Sequence, residues 1–192
     1  MLKNKDYIEI KGKNYYIYSN TLDFSDLLIG NKWIIELSEK IIYKAKVENL
    51  FLIQNDFDDK WLEPLIKSLK IHDSVKMLDL SYNFIKGDSF NFFKDYLSMT
   101  KNLEDINLSN NNITPDNMKI LFDWIKNNRS LKSIDIFNNP LDISVVKKLR
   151  DVLIVNKWVQ KISIDFYNLW LQAAKEFLNL FKYRSNLEII YK

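Results

Sequence analysis

The side chains able to do covalent or metal chemistry are few in this sequence, and their spacing supports none of it. There is one histidine, His72, no cysteine, and three glycines, Gly12, Gly30 and Gly87. Without cysteine there is no disulfide, no thiolate nucleophile and no thiolate-bound metal. A lone histidine at the predicted end of a helix most simply caps carbonyls, and no Ser-His-Asp set can be assembled around it. Three scattered glycines make no phosphate-cradling loop. The carboxylates are more informative. Asp23, Asp26, Glu48, Asp79, Glu104, Asp105, Asp135, Asp165 and Glu188 recur at related places, with Phe51, Ile53, Tyr82, Phe137, Phe166 and Tyr191 among them. Asp79 and Asp135 lack calcium-loop spacing, so no metal is expected. Acids with aromatics among them are the chemistry of recognition, in which charge steers a partner and aromatics anchor it. No enzymatic activity, cofactor or small-molecule substrate is expected.

What must position these residues is a repeat. Val47, Val75, Leu103, Leu131, Val159 and Leu187 stand 28 residues apart. Each opens a frame with apolar residues at positions 1, 4 and 6 and usually asparagine at position 9. The clearest copies are Leu103-Ile106-Leu108-Asn111-Ile113 and Leu131-Ile134-Ile136-Asn139-Leu141, with Asn55 and Asn83 in the same slot of the two preceding repeats. Val159-Ile162-Ile164 keeps the apolar part but has Tyr167 in the asparagine slot, and Leu22, Phe24, Leu27 and Ile29 fit a degenerate first copy. Positions 4 and 6 share one face of a short strand, which buries an apolar pair per repeat. Asn55, Asn83, Asn111 and Asn139 then form a ladder whose side-chain amides satisfy backbone groups that the turning chain leaves unpaired.

The rest of each repeat predicts a helix. Thr114-Pro115-Asp116 supplies an N-cap, a proline in the first turn and an acid beside it. Met118, Leu121, Phe122 and Ile125 follow at helical spacing, as do Trp61, Leu62, Leu65, Ile66 and Leu69. Repeats accordingly begin at 19, 47, 75, 103, 131 and 159, with a partial copy at 187. Residues 1–18 are expected to form a hairpin around Gly12 that caps a repeat domain spanning 19–192. The chain finishes on Leu187-Glu188-Ile189-Ile190-Tyr191-Lys192, a strand with no helix after it and so a sticky edge.

Composition limits the setting. The chain is 47% apolar with a net charge of +3, too little to predict a nucleic-acid partner, and no stretch is long and apolar enough to predict a membrane span. The polar start Met1-Leu2-Lys3-Asn4 leads into no signal-like apolar run, and with the lack of cysteine this predicts a reducing, cytoplasmic setting, of the source cell or of a host.

The frame resembles the leucine-rich-repeat consensus LxxLxLxxNxL over about residues 19–192, and the 28-residue period resembles its ribonuclease-inhibitor subclass. That resemblance implies an α/β fold, a right-handed solenoid in a short horseshoe arc, with parallel strands on the concave face and helices on the convex face. It also implies that positions 2, 3, 5, 7 and 8 point outward from the concave sheet. A partner-binding surface would then comprise Asp23, Asp26, Phe51, Ile53, Gln54, Asp79, Ser81, Tyr82, Asn107, Asn110, Asp135, Phe137, Asn138, Asp165, Phe166 and Tyr191. Nine acids at these outward positions face only Lys76, Lys132 and Lys161, so a protein with a basic contact surface is the expected partner and the surplus lysine is expected on the helices. Such a chain resembles bacterial repeat effectors and effector modulators, which implies inhibition of a partner enzyme by covering its active site. A recruiting scaffold is the alternative. Some proteins with this repeat are GTPase-activating proteins that use an edge arginine in early repeats, but the first arginine here is Arg129.

Overall fold

A computed structural model describes residues 6–42, 47–71, 73–88, 90–165 and 169–191, without the side chains of 31, 32, 42, 170 and 191. His72, Phe166 and Tyr167 lie outside the described residues. The chain begins with an antiparallel hairpin, β1 (Tyr7–Ile10) and β2 (Lys13–Tyr16). Both turn residues, Lys11 and Gly12, have positive φ (53° and 71°), the conformation that a two-residue hairpin turn requires. Alternation along β1 turns Ile8 and Ile10 into the core.

Seven parallel strands follow, in sequence order across one sheet: β3 (Thr21–Asp23), β4 (Asn49–Phe51), β5 (Met77–Asp79), β6 (Asp105–Asn107), β7 (Ser133–Asp135), β8 (Lys161–Ile164) and β9 (Glu188–Tyr191). Between them run α1 (Gly30–Ile42), α2 (Leu62–Ile71, after a 3₁₀ turn), α3 (Phe90–Met99), α4 (Pro115–Ile125), α5 (Ile143–Val155) and α6 (Trp170–Phe181). Each helix packs on the next, and each strand pairs with the next. Strands and helices therefore form two layers with one continuous core between them, to which β-alternation contributes Leu22/Phe24, Leu50/Leu52, Leu78/Leu80, Ile106/Leu108, Ile134/Ile136 and Ile162/Ile164. Among the described residues no helix is long and apolar enough to cross a membrane.

Register repeats every 28 residues from β3 to β8, as in Leu22↔Leu50↔Leu78↔Ile106↔Ile134↔Ile162. The last strand departs. Ile162 pairs with Ile189 and Ile164 with Tyr191, a spacing of 27. This corrects the expectation that Ile190 occupies position 4 and Tyr191 the outward position 5. Two successive isoleucines satisfy the apolar slot equally well, so periodicity alone could not choose between registers that turn opposite faces inward.

Candidate functional site

The strand-lined face is built from positions 5, 7 and 8 of each repeat, and its residues fall into two groups. The first serves the fold. At position 5, Asp23, Asp79, Asn107 and Asp135 each accept the backbone N–H two residues on, from Ser25, Ser81, Ser109 and Phe137 at 2.9–3.0 Å. This is an Asx turn, which ends the strand by offering the chain a side-chain acceptor in place of the ladder. Asp79 is the most internal. Its carboxylate also accepts the Ser81 hydroxyl (2.6 Å) and the Asn107 amide (2.8 Å), and only 6% of Asp79 and 3% of Ser81 remain exposed. The expectation that Asp79 and Ser81 face a partner is therefore corrected: adjacent strands crowd these short side chains, and they bond to one another. Asn110 and Asn138 likewise bond across the strands at 2.9 Å.

Other residues of this face, and several of the first group as well, keep exposed or half-exposed surface. Tyr82 is 55% exposed, Gln54 and Asn138 are exposed, and Phe51, Ile53 and Phe137 are half-buried on the same face. Asp23 and Asp26 are exposed at the first repeat, while Asn107, Asn110, Asp135 and Asp165 are half-buried along the sheet. Position 8 has a backbone signature absent from the sequence reading. Asp26, Gln54, Tyr82, Asn110 and Asn138 all lie in the left-handed region, with φ between 51° and 57°. Asparagine and aspartate visit that region readily, but a bulky aromatic rarely does. Tyr82 is thus held where the two following repeats place asparagine.

Two of the acids on this face are paired with the lysines already counted against them. Glu48 pairs with Lys76 (3.0 Å) and Glu104 with Lys132 (2.6 Å) across neighbouring strands. Charged side chains also collect at the two rims, where the chain turns at either end of the strands. Helix N-termini gather Asp58, Asp59, Asp88, Asp116 and Asp142, with Asp58 and Asp142 acting as N-caps. From the fourth repeat onward the opposite rim, at the helix C-termini, carries Lys126, Arg129, Lys157 and Lys182. Both placements complement the helix dipole.

Beneath the rims lie two polar rows. Along the strand ends, Asn83 donates to the carbonyls of Leu52, Leu80 and Ser81 (each 3.0 Å) and accepts from the N–H groups of Asn55 and Phe57. Asn55, Asn111 and Asn139 hold the same place in their repeats. A second row runs along the helix ends and was missed in the sequence: Thr100, Asn128, Asn156 and Arg184, again 28 residues apart. Asn156 donates to Ile125 and Asn128 carbonyls and accepts from the Trp158 and Val159 N–H groups. The exact spacing was there to be found, but the changing residue type hid it.

No protein-family model matches the sequence, and no curated protein matches it. Among solved structures, the chain is similar to "Leiomodin-1 Actin-Binding Site 2 (ABS2)", with 16% identity, a TM-score of 0.68, and coverage of 78% of this chain and 88% of that one. The likeness shows the fold, a leucine-rich-repeat type of domain. Among the described residues no cluster of His, Cys, Asp or Glu is arranged to hold a metal ion.

Proposed function

We propose that this chain is a protein-binding module, not an enzyme, and that it docks a partner protein on its strand-lined face around Tyr82, with Phe51, Ile53 and Phe137. The observation that carries this reading is the conformation of Tyr82. A left-handed backbone costs a non-glycine residue about 1–3 kcal/mol, and an exposed ring recovers little of that through packing inside its own fold. Strain of this kind concentrates at functional sites. Strands lie roughly 4.8 Å apart, so Phe51 and Phe137, three strands removed, stand about 15 Å from each other with Tyr82 between them. That is the scale of the apolar centre of an ordinary protein interface.

The 28-residue spacing further supports the ribonuclease-inhibitor type of right-handed repeat, and burial of Ile8 and Ile10 supports the hairpin as an N-terminal cap. The similar solved structure is that of an actin-binding site, so actin is the first partner to try. Basic groups on a partner would meet Asp23, Asp26, Asp105 and Asp135. Whether docking inhibits or recruits is read from a partner enzyme's activity: an inhibitor lowers it, and a scaffold leaves it intact.

The test compares wild type with Tyr82→Asn/Phe137→Ser, each change installing the residue found at that position in a neighbouring repeat. Co-sedimentation with actin and pull-down with mass spectrometry are run on both proteins. The variant is expected to unfold no more easily than wild type and to lose partner affinity by tenfold or more. A partner held equally by both proteins removes this face from the function.

A further inference from the structure

At the last repeat the helix-end row changes character. Where Asn128 and Asn156 place a neutral amide, Arg184 places a guanidinium that is only 8% exposed. Its N–H groups donate to the backbone carbonyls of Leu153, Asn156 and Val159, reproducing what an asparagine amide does one repeat earlier. Three of the five guanidinium N–H groups are used in this way, and two have no acceptor among the described residues. No carboxylate pairs with Arg184 among the described residues either, so a buried positive charge is met only by carbonyl dipoles. Burial pushes its pKa down, as desolvation of an uncompensated cation must. Nothing in the row itself calls for a charge, because asparagine fills the same slot elsewhere.

Arg184 lines an open cleft of about 440 Å³ together with Lys157, Gln160, Tyr183, Ser185 and Asn186. Lys157 is exposed, Tyr183 is 66% exposed, and the other three offer amide or hydroxyl groups. Arg129 and Lys182 add positive charge along the same rim, and Glu188 stands beside Gln160 in the adjacent turn. Neighbouring Trp158 is 43% exposed and carries the Arg129 guanidinium 5.2 Å from its ring centre. Tyr183 is the one aromatic that lines the cleft among the described residues, and with Trp158 beside it the pair falls short of the row of stacking platforms that successive bases of a nucleic acid use.

We propose that this cleft is a second docking site, independent of the strand-lined face, which takes the carboxylates of an acidic peptide segment on Arg184 and Lys157, with Tyr183 packing against its side chains. Arg184 supplies paired donors suited to a carboxylate, and Lys157 adds a point charge at the mouth. A partner engaging both surfaces would present basic groups to the strand face and an acidic segment to this rim.

The experiment is fluorescence anisotropy with a fluorescein-labelled Glu-Glu-Tyr-Glu-Glu peptide, its Gln-Gln-Tyr-Gln-Gln counterpart, and a single-stranded oligonucleotide of equal charge. Wild type is expected to bind the glutamate peptide, to ignore the glutamine one, and to weaken as salt rises. Lys157→Glu and Arg184→Asn are each expected to lower that affinity tenfold or more while Tyr82→Asn leaves it unchanged. Should Arg184→Asn fail to fold, the exposed Lys157→Glu decides. Equal binding of both peptides, insensitivity to Lys157→Glu, tighter binding of the oligonucleotide, or displacement by inorganic phosphate but not by acetate would each overturn the assignment.

Discussion

Along the strand ends this chain repeats one side chain, Asn55, Asn83, Asn111 and Asn139, whereas along the helix ends it uses Thr100, Asn128, Asn156 and Arg184. Both rows answer the same demand. A chain that turns sharply twice per repeat leaves backbone N–H and C=O groups inside the stack, out of reach of water, and each must be paired. At the strand end the turn has the same shape in each of these repeats, and one amide reaches three carbonyls and two N–H groups at once. At the helix end the helices stop differently. Thr100 works with Asp73, whose carboxylate also accepts from Asn102, Asn128 works with the Ser130 hydroxyl, and Asn156 accepts from two backbone N–H groups. A fixed geometry selects a fixed residue, and a variable one selects only a class of donor.

The equivalence of the two rows can be broken by substitution. The largest effect is expected for Asn83→Leu, which strands several buried polar groups at once. A loss of about 4 kcal/mol in urea unfolding is expected. Asn156→Leu removes four comparable bonds from the helix-end row and should cost about 3 kcal/mol. A cost below about 1 kcal/mol would show that the helix ends find other partners and that the rows are not alike.

Arg184 sharpens the comparison further. Arg184→Met keeps the apolar bulk but removes every donor, and is expected to lower stability by about 2 kcal/mol. Arg184→Asn restores the residue of the two preceding repeats and should stay within about 1 kcal/mol of wild type. If both variants fall equally, the guanidinium is needed for the fold in its own right.

The smallest effect belongs to the acidic rim. Asp142 caps α5 by accepting the Val145 N–H at 3.0 Å, and Asp142→Ala should cost about 1 kcal/mol at neutral pH. Its carboxyl pKa is held below the ordinary value chiefly by the Ser144 hydroxyl, with the backbone N–H groups of Val145 and Ser144 adding to it. A folded-state pKa below the unfolded one stabilises the protein above the unfolded pKa, and that contribution disappears as pH falls through the folded value. The gap between wild type and variant should therefore close on acidification, as thermal unfolding at neutral and acidic pH would measure.

The strand face was only partly legible in the sequence. Position 5 acids read naturally as a charged strip offered to a partner. The i to i+2 spacing of Asp79 and Ser81 was visible, but not that the carboxylate folds onto the end of its own strand, where the chain bends into the left-handed region at Tyr82, three residues on. Tyr82 was read as an anchor from its type alone. Its backbone, which shares the left-handed φ of Asn110 and Asn138, marks it more strongly and is set by the folded turn.

What the sequence determined by itself was the architecture: a 28-residue period, the inward apolar pairs and the asparagine row. Repetition samples the same local environment again and again, so each copy corroborates the rest. What the tertiary structure alone decided lies where neighbouring repeats meet. The β9 register, the internal role of Asp79, the cross-strand pairing of Glu48 and Glu104 with lysines, and the buried charge of Arg184 all depend on which groups come within hydrogen-bonding distance across 25–31 residues. Spacing brings such residues into line, but only packing determines whether an outward side chain meets water, a partner or the next strand.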